Sequence, residues 1–320
     1  MASHLTLQER EIVAQMHHDH WKQREIAERL KRDPSTISRE LSRNRSRNGY
    51  WASKAQAMAD ARRSQRPWTY KMEQSEISRY VRERLRQYWS PDEIAGRSRC
   101  DFPHDPRRRI SRQTIYTWLH AQQAAGAQWY RYLRRLGRPR NPLEKRGKLP
   151  ACISIEGRPA TVDRRMRYGD WEGDTVVGRW RHGGAVTMVD RKSGYLLLGK
   201  IPDRQATTVR EAIVELFHPL PSNLRRTLTL DNGKEFAEHE RLSQEAALDV
   251  YFAKPYCAWQ RGTNENTNGL VRQFFPKGTD LVHKPVQRFE KVQHLLNNRP
   301  RRRLGYRTPL EILSSRLRCN

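Results

Sequence analysis

The sequence predicts a multidomain chain: two all-α helix-turn-helix units followed by an α/β domain. Three observations predict it. Residues 1–130 carry apolar positions at helical spacing and two copies of one pattern, Glu25-Ile26-Ala27 with Thr36-Ile37 and Glu93-Ile94-Ala95 with Thr114-Ile115. From Asp170 onward, short β-rich runs take over and then alternate with helical stretches. Between these halves, residues 131–148 hold eight Lys or Arg against one Glu, broken by Gly137, Pro139, Pro142 and Gly147, a composition that discourages regular structure. The expected boundaries are 1–46 and 71–130 for the helical units, 47–70 for a connecting segment, 131–160 for a basic linker and 161–320 for the α/β domain.

In the first unit, residues 7–19 and 22–30 read as helices, with Ile26 and Leu30 on one face and Ala27 small enough for close crossing. Asp33 suits an N-cap and Pro34 the first helical position, and Ile37 and Leu41 then repeat at i, i+4. That burial turns Ser35, Thr36, Ser38, Arg39, Ser42 and Arg43 outward. Short hydroxyls among long cations suit major-groove edges and flanking phosphates. One such hairpin is equally an ordinary solvated helix pair, so the second copy matters.

That copy begins with an amphipathic helix marked by Ile77, Val81, Leu85 and Tyr88. Ser90-Pro91-Asp92-Glu93 is a capping box that starts the next helix. Its Glu-to-Thr spacing has grown from 11 to 21 residues, and the insert holds the Pro- and Arg-rich loop Cys100 to Arg109. Ser111 caps the last helix, which turns Ile115, Trp118 and Leu119 inward and Arg112, Gln113, Tyr116 and Thr117 outward. Between the units, an Ala-rich stretch around Ala52–Ala61 reads as a helix. In the linker, Gly137-Arg138-Pro139-Arg140 resembles the core of a minor-groove arm. A phosphate-tracking linker without base preference is the simpler reading.

The second half gives strands at Asp170–Val177, Ala185–Val189 and Tyr195–Ile201, a helix at Ala206–Phe217, a strand at Arg226–Leu230, a helix around Glu235–Ala247 and a strand at Leu248–Phe252, with a final helix after them. The order βββαβαβα predicts an antiparallel meander continued by parallel strands, a ribonuclease H-like sheet. Ligands in such sheets gather at the carboxyl ends of strands. Asp231 falls at such an end, Asp174 lies within the first strand where it can face the same edge, and Glu265 sits at the start of the helix after the loop Pro255 to Thr263, with 33 residues between Asp231 and Glu265. Glu172 and Asp170 alternate with Asp174 and compete for its role. Arg272 lies two helical turns beyond Glu265, where a cation would run along a DNA backbone.

Three clustered carboxylates repel one another without a compensating cation. Two Mg²⁺ ions, with Mn²⁺ able to substitute, supply it and serve in-line phosphoryl transfer. Oxygen-only donors favour these ions over zinc. The charge points the same way: residues 1–150 carry 33 − 16 = +17 and residues 151–320 carry 29 − 19 = +10, together the net +27 of the chain. Solubility needs only about 2–8 charges in a small domain, so a polyanion partner, double-stranded DNA, is expected. The four Cys are scattered without a close pair, which favours reduced thiols and a cytoplasmic location. No run approaches the length of a membrane span, and neither a membrane nor a small-molecule substrate is expected.

Three segments then carry a resemblance. Trp171-Glu172-Gly173-Asp174, Thr229-Leu230-Asp231-Asn232-Gly233-Lys234-Glu235-Phe236 and Trp259 to Gly269 are similar to the catalytic blocks of DDE transposases of bacterial insertion sequences, most closely the IS-thirty family. The run Arg272-Gln273-Phe274-Phe275-Pro276-Lys277-Gly278-Thr279-Asp280 and the segments Leu296 to Pro300 and Leu304 to Pro309 are also typical of it. Asp170 stands where many relatives are expected to have His. The resemblance implies that Asp174, Asp231 and Glu265 form the metal-binding catalytic triad of a retroviral integrase-type fold. It further implies binding to the terminal inverted repeats of an element, strand cleavage and transfer to target DNA, and action as a homo-oligomer. Ser35, Thr36, Arg39, Arg43, Arg112, Gln113, Tyr116, Arg138, Arg140, Arg272 and Lys277 are the candidate DNA contacts. The rival readings are a DNA-binding regulator with an inactive second half and a metal-dependent nuclease.

Overall fold

The computed structural model describes residues 4–46, 49–64, 70–134, 153–254 and 262–317. The chain divides into two units, Met1–Tyr70 and Lys71–Asn320.

The first unit comprises α1 (Leu7–His18), α2 (Gln23–Arg29), α3 (Pro34–Asn44) and α4 (Ala52–Ser64). Thr6 and Glu9 form a capping box at α1, and the Asp33 carboxylate accepts from the Ser35 amide to start α3. Val13, Ile26, Ala27, Ile37 and Leu41 close a small core. The Ala-rich stretch forms α4, which packs on α1 with Ala55 buried. Arg10, 3% exposed, ties three of these helices together. Its Nε donates to Glu40 Oε1 at 2.8 Å and its Nη1 to Gln56 Oε1 at 2.6 Å.

The second unit opens with a short turn, α5 (Tyr70–Glu73), then α6 (Ser75–Arg86), α7 (Pro91–Asp101) and α8 (Arg112–Ala124). The Ser90 hydroxyl and Glu93 carboxylate cap α7 reciprocally, and Ser111 caps α8. Ile77, Val81, Leu85, Ile94, Ile115 and Leu119 form the core. Tyr88 lies beyond the end of α6, with φ 64°, and faces away from this core to meet Phe274 at 4.7 Å between ring centroids.

The α/β part follows: α9 (Ala160–Asp163), β1 (Asp170–Val177), β2 (Gly184–Asp190), β3 (Leu196–Ile201), α10 (Ala206–Phe217), β4 (Thr227–Leu230), α11 (His239–Ala246), β5 (Asp249–Phe252), α12 (Gly262–Phe274), α13 (Val286–Asn297) and α14 (Pro309–Leu317). The sheet order is β3-β2-β1-β4-β5, antiparallel across β1, β2 and β3 and parallel from β1 to β4 to β5. This is the expected ribonuclease H-like arrangement. Apolar side chains alternate along the strands, so each face has its own core. Trp171, Leu228 and Leu230 pack with Val209, Ile213 and Phe217 of α10 and Leu242 of α11. Val176, Val189 and Leu198 pack with Leu270 and Val271 of α12 and Phe289 of α13. The helix expected from Glu235 starts only at His239; Lys234–Phe236 is a single tight turn. Glu235 is held back toward β1 by a hydrogen bond from Thr175 Oγ1 at 3.0 Å.

Within this unit the helices α6 to α8 dock on the far end of the chain. Arg299 Nε donates to both Glu93 oxygens, at 3.0 and 2.9 Å, and Arg97 forms a bidentate pair with Glu311 at 2.7 Å on each arm. Gly96 permits the approach: a Cβ there would sit 2.2 Å from the Tyr306 ring.

Candidate active site

The alternation that gives the sheet two cores also sorts the acids. On β1, Trp171 faces α10, so Asp170, Glu172, Asp174 and Val176 face α12 and α13. On β4, Leu228 and Leu230 face α10, which puts Thr229 and the following Asp231 on the α12 side. The parallel register pairs Glu172 with Thr229. Two residues further along β1 stands Asp174, and one residue beyond the end of β4 stands Asp231. Adjacent strands are about 4.8 Å apart, so the register brings these two segments to the same edge although 57 positions separate the acids in sequence.

The third acid arrives on α12, whose first turns are fastened to the same face. Asn264 Nδ2 donates to the backbone oxygens of Glu172 at 2.8 Å and Thr187 at 3.1 Å. One turn on, Asn268 Nδ2 donates to Asp174 Oδ2 at 2.9 Å, and its Oδ1 accepts from the Thr187 hydroxyl at 2.9 Å. Glu265 sits between these two anchors, in the first turn of α12, and is exposed. Neither asparagine was singled out by sequence pattern, although a buried polar stripe of Thr263, Asn264 and Thr267, on a helix face where apolar residues are normal, marks such a polar dock.

Geometry separates the three acids of β1. Asp170, 1% exposed, pairs with Arg167 at 2.9 Å and accepts from Thr227 Oγ1 at 2.9 Å, joining β1 to β4 away from the site. Glu172, also 1% exposed, has one oxygen on Arg191 at 3.0 Å and the other on the Asn264 amide at 2.9 Å. Both carboxylates are committed to holding elements together. Asp174 is half-buried, and its Oδ1 accepts from the Thr175 amide at 2.8 Å.

Asp231, 7% exposed, accepts from the Gly233 amide at 3.1 Å, while Asn232 Nδ2 donates to Ala253 O at 2.7 Å and secures the turn. Gly233 has ordinary backbone angles and leaves room for its neighbours: a Cβ would lie 2.7 Å from the Glu235 carboxyl carbon and 3.0 Å from Asp231 Oδ1, so both carboxylates would have to shift. Glu235 is therefore a further acid beside Asp231. Burial would raise its pKa, but hydrogen bonds from its own backbone, Arg204 and Thr175 outweigh that and hold it below the usual carboxylate range.

Arg272 is half-buried and braces the end of β1, donating to Val177 O at 3.0 Å. Burial lowers its pKa, with the nearby Asp174 charge opposing that. Of the other candidate DNA contacts, Ser35, Arg39, Arg43, Arg112, Gln113, Tyr116 and Lys277 are exposed and Thr36 is half-buried. Arg112 also approaches Asp92 at 3.8 Å. Arg138 and Arg140 lie outside the described residues. Among the described residues, no three His, Cys, Asp or Glu side chains stand close enough to enclose a metal ion, and no helix is long and apolar enough to cross a membrane. The acids of this region offer carboxylate oxygens, a donor type that suits Mg²⁺ or Mn²⁺ rather than zinc.

Comparison with known proteins fits this geometry. A helix-turn-helix domain model matches residues 2–44 and an integrase core domain model matches residues 164–258, a span that includes Asp174 and Asp231. The transposase InsI of insertion sequence element IS30A from Escherichia coli is 39% identical, over 97% of this chain and 83% of its own length. The chain belongs to the IS-thirty family of insertion-sequence transposases. Two further relatives are the transposase of element IS4351 from Bacteroides fragilis, 36% identical over 97% of this chain and 95% of its own, and that of IS1086 from Cupriavidus metallidurans, 38% identical over 91% and 88%. Family membership thus covers both helical units and the α/β domain together.

Proposed function

We propose that this chain is the DDE transposase of an insertion sequence, which binds the element's terminal inverted repeats, cuts its ends and joins them to target DNA. The observation that supports the reading is the parallel register of β1 and β4, which sets Asp174 level with the start of the turn that holds Asp231, together with α12, whose Asn268 bonds Asp174 and whose first turn carries Glu265. These three acids would be the metal ligands and catalytic residues, and two Mg²⁺ ions the group they would hold. Bound there, such ions neutralise the reacting phosphodiester and favour the deprotonated form of the attacking hydroxyl. The chain's own work is positional. The Thr175 amide and Asn268 orient Asp174, the Gly233 amide orients Asp231, and Glu235, bonded to Thr175 and Arg204, fixes the turn that follows Asp231.

DNA is held by the outward faces of α3 and α8, with Ser35, Thr36, Arg39 and Arg43 on the first and Arg112, Gln113 and Tyr116 on the second. Arg272 and Lys277, on and just beyond α12, are further DNA contacts, as are Arg138 and Arg140 of the basic linker by their sequence alone. The protein acts in the cytoplasm as a homo-oligomer on the paired ends of the element. The test is Glu265→Gln with Mg²⁺ and a duplex carrying the inverted repeat that brackets the reading frame. The variant is expected to bind that duplex as the parent does and to lose nicking and joining. Strand transfer that survives the substitution rejects the triad.

A further inference from the structure

The turn joining β1 to β2 carries a residue that the acids do not account for. Trp180 is the most exposed large apolar side chain among the described residues, at 76%. Its backbone is left-handed, with φ 51° and ψ 24°, a conformation that bulky residues seldom take. Tyr88 and Tyr306 share it, each with φ 64°, but both meet protein: Tyr88 packs edge-on against Phe274, and Tyr306 lies over Gly96. Trp180 instead stands in solvent with the Arg179 guanidinium 3.9 Å from its ring centroid.

The strained turn is closed by its own hydrogen bonds and tied to the segment after α12. The Gly178 amide donates to Gly183 O at 3.1 Å, the His182 amide to Arg179 O at 3.0 Å and the Arg179 amide to Thr279 O at 2.9 Å. Arg272 fixes the end of β1 through Val177 O. Strain persists where surroundings over-determine it, and it gathers at functional positions. Here the surroundings fix a large indole outward from the strand that carries Asp174.

We propose that Trp180 is a base-stacking wedge, an indole presented to DNA at the acidic site to pack against a nucleobase that has left the duplex stack. Arg179, Arg181 and His182 flank it in sequence and suit a phosphate backbone. Arg179 covers part of the ring by a cation–π contact, and the exposed remainder is a platform for a base of any identity. Position gives the reach. From Asp174 to the end of β1 is about 10 Å at about 3.3 Å per residue. A DNA strand advances about 3.4 Å per nucleotide, so the unstacked base lies roughly three to five nucleotides from the phosphate at Asp174.

The wedge rests on the transposase reading, so its test is run in the Glu265→Gln background, where base stacking is read without cleavage. The probe is the same inverted-repeat duplex with thymines placed through that window, and the readout is their permanganate reactivity. Protein with Trp180 intact is expected to raise the reactivity of a thymine in the window severalfold over free duplex. Trp180→Ala should abolish that rise and weaken binding about tenfold, within the range of a lost stacking contact, whereas Trp180→Phe should keep the rise. A duplex that stays unreactive with Trp180 intact overturns the proposal, as does an unchanged pattern with Trp180→Ala. Either result leaves the triad standing, since cleavage by Glu265→Gln is scored separately.

Discussion

Replacing Arg299 by Met tests how firmly the second helical unit is built onto the α/β domain. The Arg299 and Glu93 side chains are 3% and 14% exposed, and the guanidinium reaches both carboxylate oxygens and also Gln273 Oε1 at 3.0 Å. Breaking a buried pair from one side costs about 3–5 kcal/mol, because the remaining charge stays desolvated. Glu93 keeps some compensation, since the Ser90 amide and hydroxyl donate to it at 2.6 and 2.9 Å. The lower figure, about 3 kcal/mol, therefore applies. At about 2–4 °C per kcal/mol for a unit of this size, the thermal midpoint should fall by about 6–12 °C. The assay is thermal unfolding of the full chain, with Glu93→Gln and the double variant completing a cycle. A double variant whose loss equals the sum of the singles within about 0.5 kcal/mol would refute the pairing.

Gly96→Ala places a Cβ into the Tyr306 ring and should cost about 1–3 kcal/mol by overpacking, read as faster proteolysis between the helical unit and the α/β domain. The Glu311 carboxyl is lowered from 4.5 to about 2, first by its hydrogen bond from Arg97. A depressed folded-state pKa gives stability that is present above 4.5 and lost as pH falls toward 2. Glu311→Gln should remove that part of the acid sensitivity, and acid melts of the two proteins that stay parallel would contradict it. Arg39→Ala or Arg112→Ala should weaken binding to the inverted repeat more than to random duplex, by about 1–3 kcal/mol if a base edge is lost; equal losses in filter binding would leave only phosphate contacts.

The strands, the recognition-type helices and their caps were legible because each rests on local chemistry: alternation, Pro34 after Asp33, and the Ser90–Glu93 box. The order of the strands was legible too, since three in a row followed by crossovers leaves few sheets. What sequence could not separate was Asp174 from Glu172, which share a face. Burial and partners separate them, and these come from Arg191 and Asn264, distant in sequence. Glu235 was hidden for a related reason. Helical propensity around it favoured a continuous helix, and only the pull of Thr175 and Arg204 delays the start to His239. The docking of α7 against Arg299 and Tyr306 was equally out of reach, because charges that meet some 200 residues apart leave no periodic trace.

That docking has a geometric consequence for DNA. Helix α8 and strand β1 belong to one unit, so on the proposed reading the stretch of duplex between a sequence read by α8 and the phosphate to be cut would be measured by the protein itself. Double helix turns fully in about 10 base pairs, and an insertion of half that length would carry the phosphate to the opposite side of the duplex. The helical phase of the element's end, as well as its letters, would then be part of what this chain recognises.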